Sequence, residues 1–325
     1  MKKIILIFTT LLLIIILSFI LKKTNNRSTK VVVSEVTHSV FYAPWYVAIE
    51  NNYFEEQNID IEVLLTPGAD KVATSVLSED ANIGFSGPET TVYIYNNSKQ
   101  KLLTFASLTK KDGQFIVGPC NLKNNFKMDD LKGKTILAGR KGGMPLLMFK
   151  YALKESNINE NEININTSIE FSALTGAFIS KQGEFVNLFE PNALNIEKEN
   201  YGCVLSSLGN ITGTVPYTTF YAKDSYIKNN KDIIKKFNKA LNKGLKFVKD
   251  NSSETIAKSI INQFPDTSLK DLTFLVDRYK KIDSWYNNTT IVKEDYDRLI
   301  DIMLHGNTID KKIDTSILFT NEFNE

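Results

Sequence analysis

Segments typical of strands and segments typical of helices alternate along most of the chain. Apolar, branched residues predominate in 31–36 and Ile59–Leu65, which predicts two strands, and Val72, Val76 and Leu77 then recur at helical spacing. Strands separated by helices favour parallel sheets, because a parallel connection must be long enough to hold a helix. We therefore predict an α/β fold in which helices cover both faces of the sheets.

The alternation continues toward the carboxyl end, where the last hundred residues are predicted to be mostly helical. Further strands are predicted at 82–85, 102–108, 114–118, 135–138, 163–168, 185–189, 204–205 and 218–222, and the final helices at 229–250, 253–263, 269–279 and 293–305. The chain after residue 30 is long enough for two ordinary domains, each with its own core.

An apolar run occupies residues 4–21 and is flanked by lysines and an arginine. As a helix it spans about 27 Å, close to the hydrocarbon core of a bilayer. The run is long for a signal peptide, and no small-residue cleavage site follows it. No cysteine lies where a bacterial lipoprotein would be acylated, since Cys120 and Cys203 are the only cysteines. We predict that residues 1–30 form an uncleaved signal anchor, with a cleaved signal peptide as the alternative.

The charge of the remaining chain argues against nucleic acid as a partner. Six of the 39 lysines and arginines lie in residues 1–30, so residues 31–325 carry 33 basic and 37 acidic residues. Cys120 and Cys203 could pair in an oxidising compartment. A domain of this size does not need a disulfide, and we favour free or buried thiols.

Residues 38–54 contain the most informative turn of the chain. A predicted strand ends before a short segment with Tyr42, Pro44 and Trp45, and a helix follows. Proline suits the first turn of a helix, where its missing N–H costs nothing. Open α/β sheets bind ligands outside the carboxyl ends of their strands, so large aromatic residues at this turn predict a binding site.

The phrase APWYVAIENNYFEEQNIDIEV resembles the opening of bacterial solute-binding proteins of the thiamine-pyrimidine, sulfonate, taurine and nitrate group. Asn52 and Asn58 replace two usual glycines, and asparagine tolerates the left-handed conformation that those turns need. Four more phrases resemble the same family, and they are GADKVATSVLSEDANIGFSGPE at 68–89, GRKGGMP at 139–145, EFVNLFEP at 184–191 and DSWYNN at 283–288.

This resemblance implies a two-lobed type II periplasmic-binding-protein fold, in which each lobe is a mostly parallel sheet flanked by helices. The chain would cross between the lobes near 114–119 and 213–218, with the ligand between them. Lobe one would comprise 31–115 plus 216–325, and lobe two 116–215.

Two strand-to-helix turns are candidates for ligand contact through the backbone. Ser86, Gly87 and Glu89 begin a helix whose free N–H groups suit anions or polar ligand edges, with a plain serine cap as the alternative. Gly142 and Gly143 let the backbone approach a ligand closely, or simply form a tight turn. GRKGGMP matches neither common phosphate-binding glycine motif.

Aromatic and acidic side chains complete the candidate site. Stacking residues for a flat ligand, or alternatively core residues, are Tyr42, Trp45, Tyr217 and Trp285. Glu89 and Glu190 could accept bonds from ring nitrogens or amino groups, or could simply be helix-start acids. Arg140 and Lys141 favour an anionic ligand instead. His38, at the end of the first strand, is a ligand contact or a structural histidine.

Enzymatic signatures are missing from the sequence. His38 and His305 are the only histidines, and no zinc-protease motif, serine-hydrolase motif or Cys/His cluster occurs. The Cys-rich motif of the yeast pyrimidine-synthase branch is also absent. We therefore expect no enzymatic activity, catalytic residue, metal or cofactor.

The resemblance implies the solute-binding subunit of an ABC importer, which captures a small molecule between its lobes and delivers it to a permease. Its partners would be the permease and ATPase subunits and, through the amino-terminal segment, the membrane. We expect a monomer that is extracytoplasmic, either tethered or secreted. The expected ligand is a nitrogen heterocycle of the thiamine-pyrimidine type. Alternatives are an aliphatic sulfonate, another small anion, or a ligand-sensing role for a membrane signalling protein.

Overall fold

The computed structural model describes residues 28–324 and contains two five-stranded sheets with helices packed on them. The strands are β1 (Thr29–Glu35), β2 (Ile59–Leu65), β3 (Ile83–Ser86), β4 (Leu102–Thr109), β5 (Phe115–Gly118), β6 (Thr135–Leu137), β7 (Asn164–Asn166), β8 (Phe185–Leu188), β9 (Cys203–Ser207) and β10 (Thr218–Lys223). The α/β architecture expected from the alternating pattern is therefore confirmed.

Twelve α-helices connect or cover these strands in the described part of the chain. They are α1 (Ala43–Glu50), α2 (Ala69–Leu77), α3 (Glu89–Asn97), α4 (Met144–Glu155), α5 (Leu174–Ile179), α6 (Asn192–Lys198), α7 (Leu208–Thr212), α8 (Asp224–Asn229), α9 (Lys231–Asp250), α10 (Ser253–Ile260), α11 (Leu269–Lys281) and α12 (Lys293–His305). None of these helices is long and apolar enough to cross a membrane. The predicted signal anchor at 4–21 lies outside the described residues.

The two sheets have matching topologies, with strand orders β2-β1-β3-β10-β4 and β7-β6-β8-β5-β9. We call the first sheet and its helices lobe one, and the second sheet and its helices lobe two. The first three strands of each order run parallel, whereas β10 and β5 run antiparallel to both neighbours. Four of the five strands in each sheet therefore run in the same direction, as expected for a mostly parallel sheet, and the fifth, β10 or β5, is reversed because it enters its sheet directly from the other lobe.

Both faces of each sheet are buried. Helices α1 and α9 pack on one face of the first sheet within a large apolar core, and α2 packs on the other face. Two smaller clusters cover the faces of the second sheet. Asn52 and Asn58 both adopt a φ of 58°, so the left-handed turns expected at these positions are confirmed.

Cys120 and Cys203 form a disulfide, which corrects our expectation of free or buried thiols. The bond joins the segment after β5 to the first residue of β9, and these two strands are hydrogen-bonded neighbours. The antiparallel pairing brings together cysteines that lie 83 residues apart in the sequence. That proximity depends on sheet order, which the spacing of the two cysteines does not reveal.

Candidate functional site

A cleft lies where the two lobes meet, and its cavity volume is about 70 Å³. It is lined by Val36, Thr37, Tyr42, Gly68, Ala69, Gly87, Glu89, Gly139, Arg140, Gly143, Met144, Pro145, Phe171, Phe189, Tyr217 and Thr218. Most of these residues follow the ends of strands or begin helices. The cleft therefore occupies the place where α/β sheets generally bind ligands.

Glu89 is the buried carboxyl group of the cleft. It is the first residue of α3, directly after the turn that ends β3, and only 1% of it is exposed. Oε1 accepts a bond of 3.3 Å from the backbone N–H of Met144, the first residue of α4 in lobe two. Oε2 is buried without a hydrogen-bond partner among the described residues. Glu89 thus links the lobes and keeps one oxygen available for a ligand.

Burial sets the charge of this group. Removal from water disfavours the carboxylate and raises the pKa of Glu89 to about 8, although backbone N–H groups, including that of Met144, oppose the shift. A hydrogen-bond donor or a cation placed at Oε2 would favour the ionised form. The site is therefore suited to a ligand that donates a hydrogen bond or carries positive charge.

Gly87 is required for this arrangement of the carboxyl group. A Cβ atom at position 87 would overlap Oε2 of Glu89 and the side chain of Met144. Any larger residue would displace Glu89 or push the start of α4 away from lobe one. The glycine in the turn after β3 thus serves close packing across the cleft.

Arg140 is the only cationic residue among those that line the cleft. It belongs to the loop between β6 and α4, and it forms an ion pair with Asp70 in the first turn of α2. Arg140 holds the pKa of Asp70 below its ordinary value by donating to it. Gly68 allows the approach, because a Cβ atom there would lie 2.9 Å from both Nη2 of Arg140 and Oδ1 of Asp70.

Aromatic rings form the apolar walls of the cleft. Phe189 of lobe two lies 5.6 Å from Phe171 and 6.1 Å from Tyr217, measured between ring centroids. Phe41 stacks behind Phe189 at 5.4 Å, and Tyr42 lies 5.5 Å from Phe41. Burial raises the pKa of Tyr42, so its hydroxyl remains neutral. These walls favour a flat or partly apolar ligand.

A second buried acid lies behind Tyr217, in the segment that connects the lobes. Asp112 is fully buried and accepts a bond of 2.8 Å from the backbone N–H of Gln114. Burial raises its pKa to about 7. Burial, and then the neighbouring Asp112, hold the pKa of Tyr217 well above its ordinary value. The side of the cleft next to this segment is therefore also rich in hydrogen-bond acceptors.

Comparison with known proteins identifies the family. Residues 40–255 match the family described as NMT1/THI5 like. A Bacillus subtilis (strain 168) protein named "Putative binding protein YtlA" is 39% identical over 299 residues, which cover 91% of this chain and 89% of that protein. The chain belongs to the NMT1/THI5-like family. The family resemblance inferred from the sequence phrases is thereby confirmed.

Solved periplasmic binding proteins share the fold of this NMT1/THI5-like chain. The nitrate-binding protein NrtA from Synechocystis PCC 6803 has a TM-score of 0.74 at 12% identity, covering 91% of this chain and 87% of that chain. The alkanesulfonate-binding protein SsuA from Xanthomonas axonopodis pv. citri, bound to MOPS, has a TM-score of 0.71 at 12% identity, covering 90% and 98%. A ligand-binding component of an ABC-type import system from Staphylococcus aureus has a TM-score of 0.73 at 12% identity, covering 91% and 97%. At these identities the likeness shows a shared fold.

Five of the eleven residues that the sequence nominated line the cleft of this NMT1/THI5-like protein, namely Tyr42, Gly87, Glu89, Gly143 and Tyr217. Gly142 lines a neighbouring groove that also contains Asp70 and Arg140. Ser86 is fully buried beneath the cleft, with its Oγ 2.8 Å from the hydroxyl of Tyr221. These positions bring the two predicted strand-to-helix turns together from opposite lobes.

The two tryptophans lie away from the cleft. Trp45 is fully buried, and its Nε1 donates to Oε2 of Glu35 at 2.9 Å while its ring packs in the core of lobe one. Nε1 of Trp285 donates to the carbonyl oxygen of Phe41 at 2.7 Å. The packing role that we weighed as the alternative for both residues describes their surroundings, because each indole already has a hydrogen-bond partner.

Glu190 and His38 also lie outside the cleft lining. Oε1 of Glu190 forms an ion pair with Arg278, and Oε2 accepts a bond of 2.9 Å from the N–H of Leu194. Nε2 of His38 lies 2.8 Å from the carbonyl oxygen of Gln263. Both oxygens of Glu190 are engaged, whereas Glu89 keeps one available. The long-range partners of Glu190 and His38 explain why a local pattern did not separate them from Glu89.

Several cleft residues were not nominated from the sequence. Phe189 lies inside the phrase EFVNLFEP, directly before the nominated Glu190. Met144 belongs to GRKGGMP, in which the sequence nominated the two glycines and weighed Arg140 only as a contact for an anionic ligand. Phe171 carries no local signal, since it lies in a short turn outside the predicted elements.

Proposed function

We propose that this protein is the extracytoplasmic solute-binding subunit of an ABC importer with a type II periplasmic-binding-protein fold. The fold likeness to binding proteins of import systems supports this role, as does a cleft formed by both lobes. The apolar run at 4–21 supports a tether to the membrane, so that the captured solute would be delivered to a neighbouring permease. A carrier needs no catalytic group, which agrees with the sequence.

The solute that we propose is a small nitrogen heterocycle of the thiamine-pyrimidine type. One observation carries this choice, namely the buried Oε2 of Glu89 that has no partner and faces a cleft with aromatic walls. An amino group or ring N–H would satisfy this oxygen, and the ring would pack against Tyr42, Phe189 and Tyr217. Gly87 and Gly143 would let the backbone approach the solute.

The anionic alternative has less support from the geometry. A sulfonate or nitrate needs donors that are not already engaged, and Arg140 is held by Asp70 across the cleft. An anion would also lie near the carboxyl group of Glu89 and would meet a like charge whenever that group is ionised, which is above about pH 8 in the ligand-free protein. Proteins with the same fold bind anions, but the charged residues of this cleft favour a ligand that donates a hydrogen bond.

The test compares wild type with Glu89→Gln and the control Glu155→Gln, which changes an exposed acid at the far end of α4. The aminopyrimidine precursor of thiamine should raise the melting temperature of wild type and of the control. Glu89→Gln should weaken binding by roughly tenfold or more, since a bond to a charged group is worth about 1.5–3 kcal/mol.

The opposite pattern would contradict the proposed solute. If methanesulfonate or nitrate binds wild type, and Glu89→Gln binds it more tightly, the cleft holds anions and a repulsive charge has been removed. Mass spectrometry of small molecules released from the denatured protein would identify the solute independently of these binding tests.

A further inference from the structure

The cleft contains two charged residues among those that line it, Glu89 and Arg140. Arg140 lines the cleft with a partly exposed side chain, and a guanidinium there could form a bidentate contact with a sulfonate, a carboxylate or a phosphate. The structure instead shows Arg140 paired with Asp70, with Nη1 lying 3.3 Å from Oδ2 and a second, shorter contact between Nη2 and Oδ1. The donors that an anion would use are therefore directed to the protein's own carboxylate.

We propose that Asp70 determines which ligand charge the cleft accepts, because it holds Arg140 in an ion pair across the two lobes. This inference rests on the proposed function in one respect, since it assumes that the solute binds in the cleft. It goes further by assigning a specificity role to a residue that does not line the cleft itself. With Asp70 in place, Glu89 can accept a hydrogen bond from a ligand, whereas Arg140 is occupied and cannot bind an anionic ligand.

Three features of the chain support a dedicated pair rather than an accidental surface contact. Gly68, with a φ of +117°, leaves the space in which the two side chains meet. Arg140 follows Gly139, which has a φ of +92° and turns the chain out of β6 toward lobe one. The same part of the cleft contains the bond from the N–H of Met144 to Glu89. Each of these two polar contacts between the lobes therefore includes a residue that lines the cleft, Arg140 in one and Glu89 in the other.

Removal of Asp70 leaves Arg140 close to Glu89 and Glu170, whose charges also stabilise the guanidinium. Burial favours the neutral form of Glu89 below about pH 8, so this carboxyl group is a weak competitor for Arg140 near neutral pH. Glu170 is exposed, so solvent screens its attraction for the guanidinium, and an anion that enters the cleft would compete with it for Arg140.

The experiment measures binding of methanesulfonate at constant ionic strength by calorimetry and thermal shift. Wild type should bind it weakly, and Asp70→Asn should bind at least about tenfold more tightly. The double variant Asp70→Asn/Arg140→Gln should lose this gain. Asp70→Ser is a second variant with the same expected result, so that one poorly folding protein does not decide the outcome.

Asp271→Asn is the matched control. Asp271 of α11 forms an ion pair with Lys198 of α6, and this pair joins the two lobes away from the cleft. This variant should bind methanesulfonate as wild type does. The inference is overturned if Asp70→Asn and Asp70→Ser bind no more tightly than wild type. It is also overturned if the double variant or Asp271→Asn gains affinity equally.

These outcomes are independent of the aminopyrimidine test. A gain for methanesulfonate in Asp70→Asn that depends on Arg140 supports the specificity role even if wild type does not bind the aminopyrimidine. The converse result is that wild type binds the aminopyrimidine in a way that depends on Glu89 while the Asp70 variants gain no affinity for methanesulfonate. That result would support the proposed function and reject the role of Asp70.

Discussion

Glu89 combines a structural contact with an available oxygen, and its protonation should be measurable in the stability of the ligand-free protein. Its ordinary pKa of 4.5 is raised to about 8 in the folded chain. Between these values the native state holds a proton that the unfolded chain releases. Its contribution to stability is thus complete below about pH 4.5 and is lost as the pH rises toward 8.

Glu89→Gln should remove this dependence. We expect the free energy of unfolding of the variant to improve relative to wild type between pH 5 and pH 8.5, by about 1–5 kcal/mol. Denaturant titrations at a series of pH values would measure the difference. Burial also raises the pKa of Asp112, but its contribution to stability cancels in the comparison because both proteins contain it. Curves that stay parallel across this range would show that Glu89 is charged in the ligand-free protein.

Single residues show where local sequence stops being sufficient. Glu89 and Glu190 both follow a strand and precede a helix, and the sequence nominated them together. The structure separates them, because Arg278 lies 88 residues further along and neutralises Glu190. Tyr42 and Trp45 share one turn, yet Trp45 turns into the core toward Glu35 while Tyr42 lines the cleft. Such choices depend on partners from distant segments.

At the scale of elements, α9 packs very closely on α1 through a glycine. A Cβ atom at Gly244 would overlap the carbonyl oxygen of Pro44 and would lie 3.1 Å from Cβ of Ala48. Alanine normally stabilises a helix interior by about 1 kcal/mol relative to glycine. Here the overlap should exceed that gain, since overpacking typically costs about 1–3 kcal/mol.

We therefore expect Gly244→Ala to lower the melting temperature. Gly176 in α5 is the matched control, because nothing lies within 4 Å of its added Cβ atom and the change should be neutral or stabilising. Circular dichroism melts of both variants would measure the contrast. Equal stability of Gly244→Ala and wild type would mean that α1 and α9 can separate without cost.

Most elements could be predicted from the sequence, because hydrophobic periodicity and turn residues act locally. The predicted β2 and α12 match the observed bounds, and the helical spacing of Val72, Val76 and Leu77 correctly predicted α2. Short helices with weak signals were missed, namely α5, α7 and α8. Strand direction was also beyond local patterns, since the antiparallel entry of β5 and β10 depends on how the chain passes between the lobes. The disulfide was missed for the same reason.

The molecule as a whole contains two lobes joined by two passages of the chain, at residues 110–114 and 213–217. The lobes touch through a few polar contacts besides the cleft pairs. Oγ of Ser39 donates to the carbonyl oxygen of Glu190 at 2.6 Å, and Arg278 of α11 reaches Glu190 at the end of β8. These contacts and the stacking of Phe41 on Phe189 hold the cleft closed, and we expect a solute that adds contacts to both lobes to shift the balance between open and closed forms.

A solute that contacts both lobes stabilises the closed form only, and it shifts the population by its difference in affinity between the two forms. We expect the aminopyrimidine to reduce the radius of gyration of wild type in solution scattering. It should also raise stability by about 2.7 kcal/mol at a hundredfold excess over Kd. With a Kd about tenfold weaker, Glu89→Gln should gain only about 1.4 kcal/mol at the same concentration, since it lacks the carboxyl acceptor that joins the solute to lobe one. A radius of gyration that stays constant while the melting temperature rises would indicate that the solute binds lobes that are already closed, and the hinge account would then be wrong.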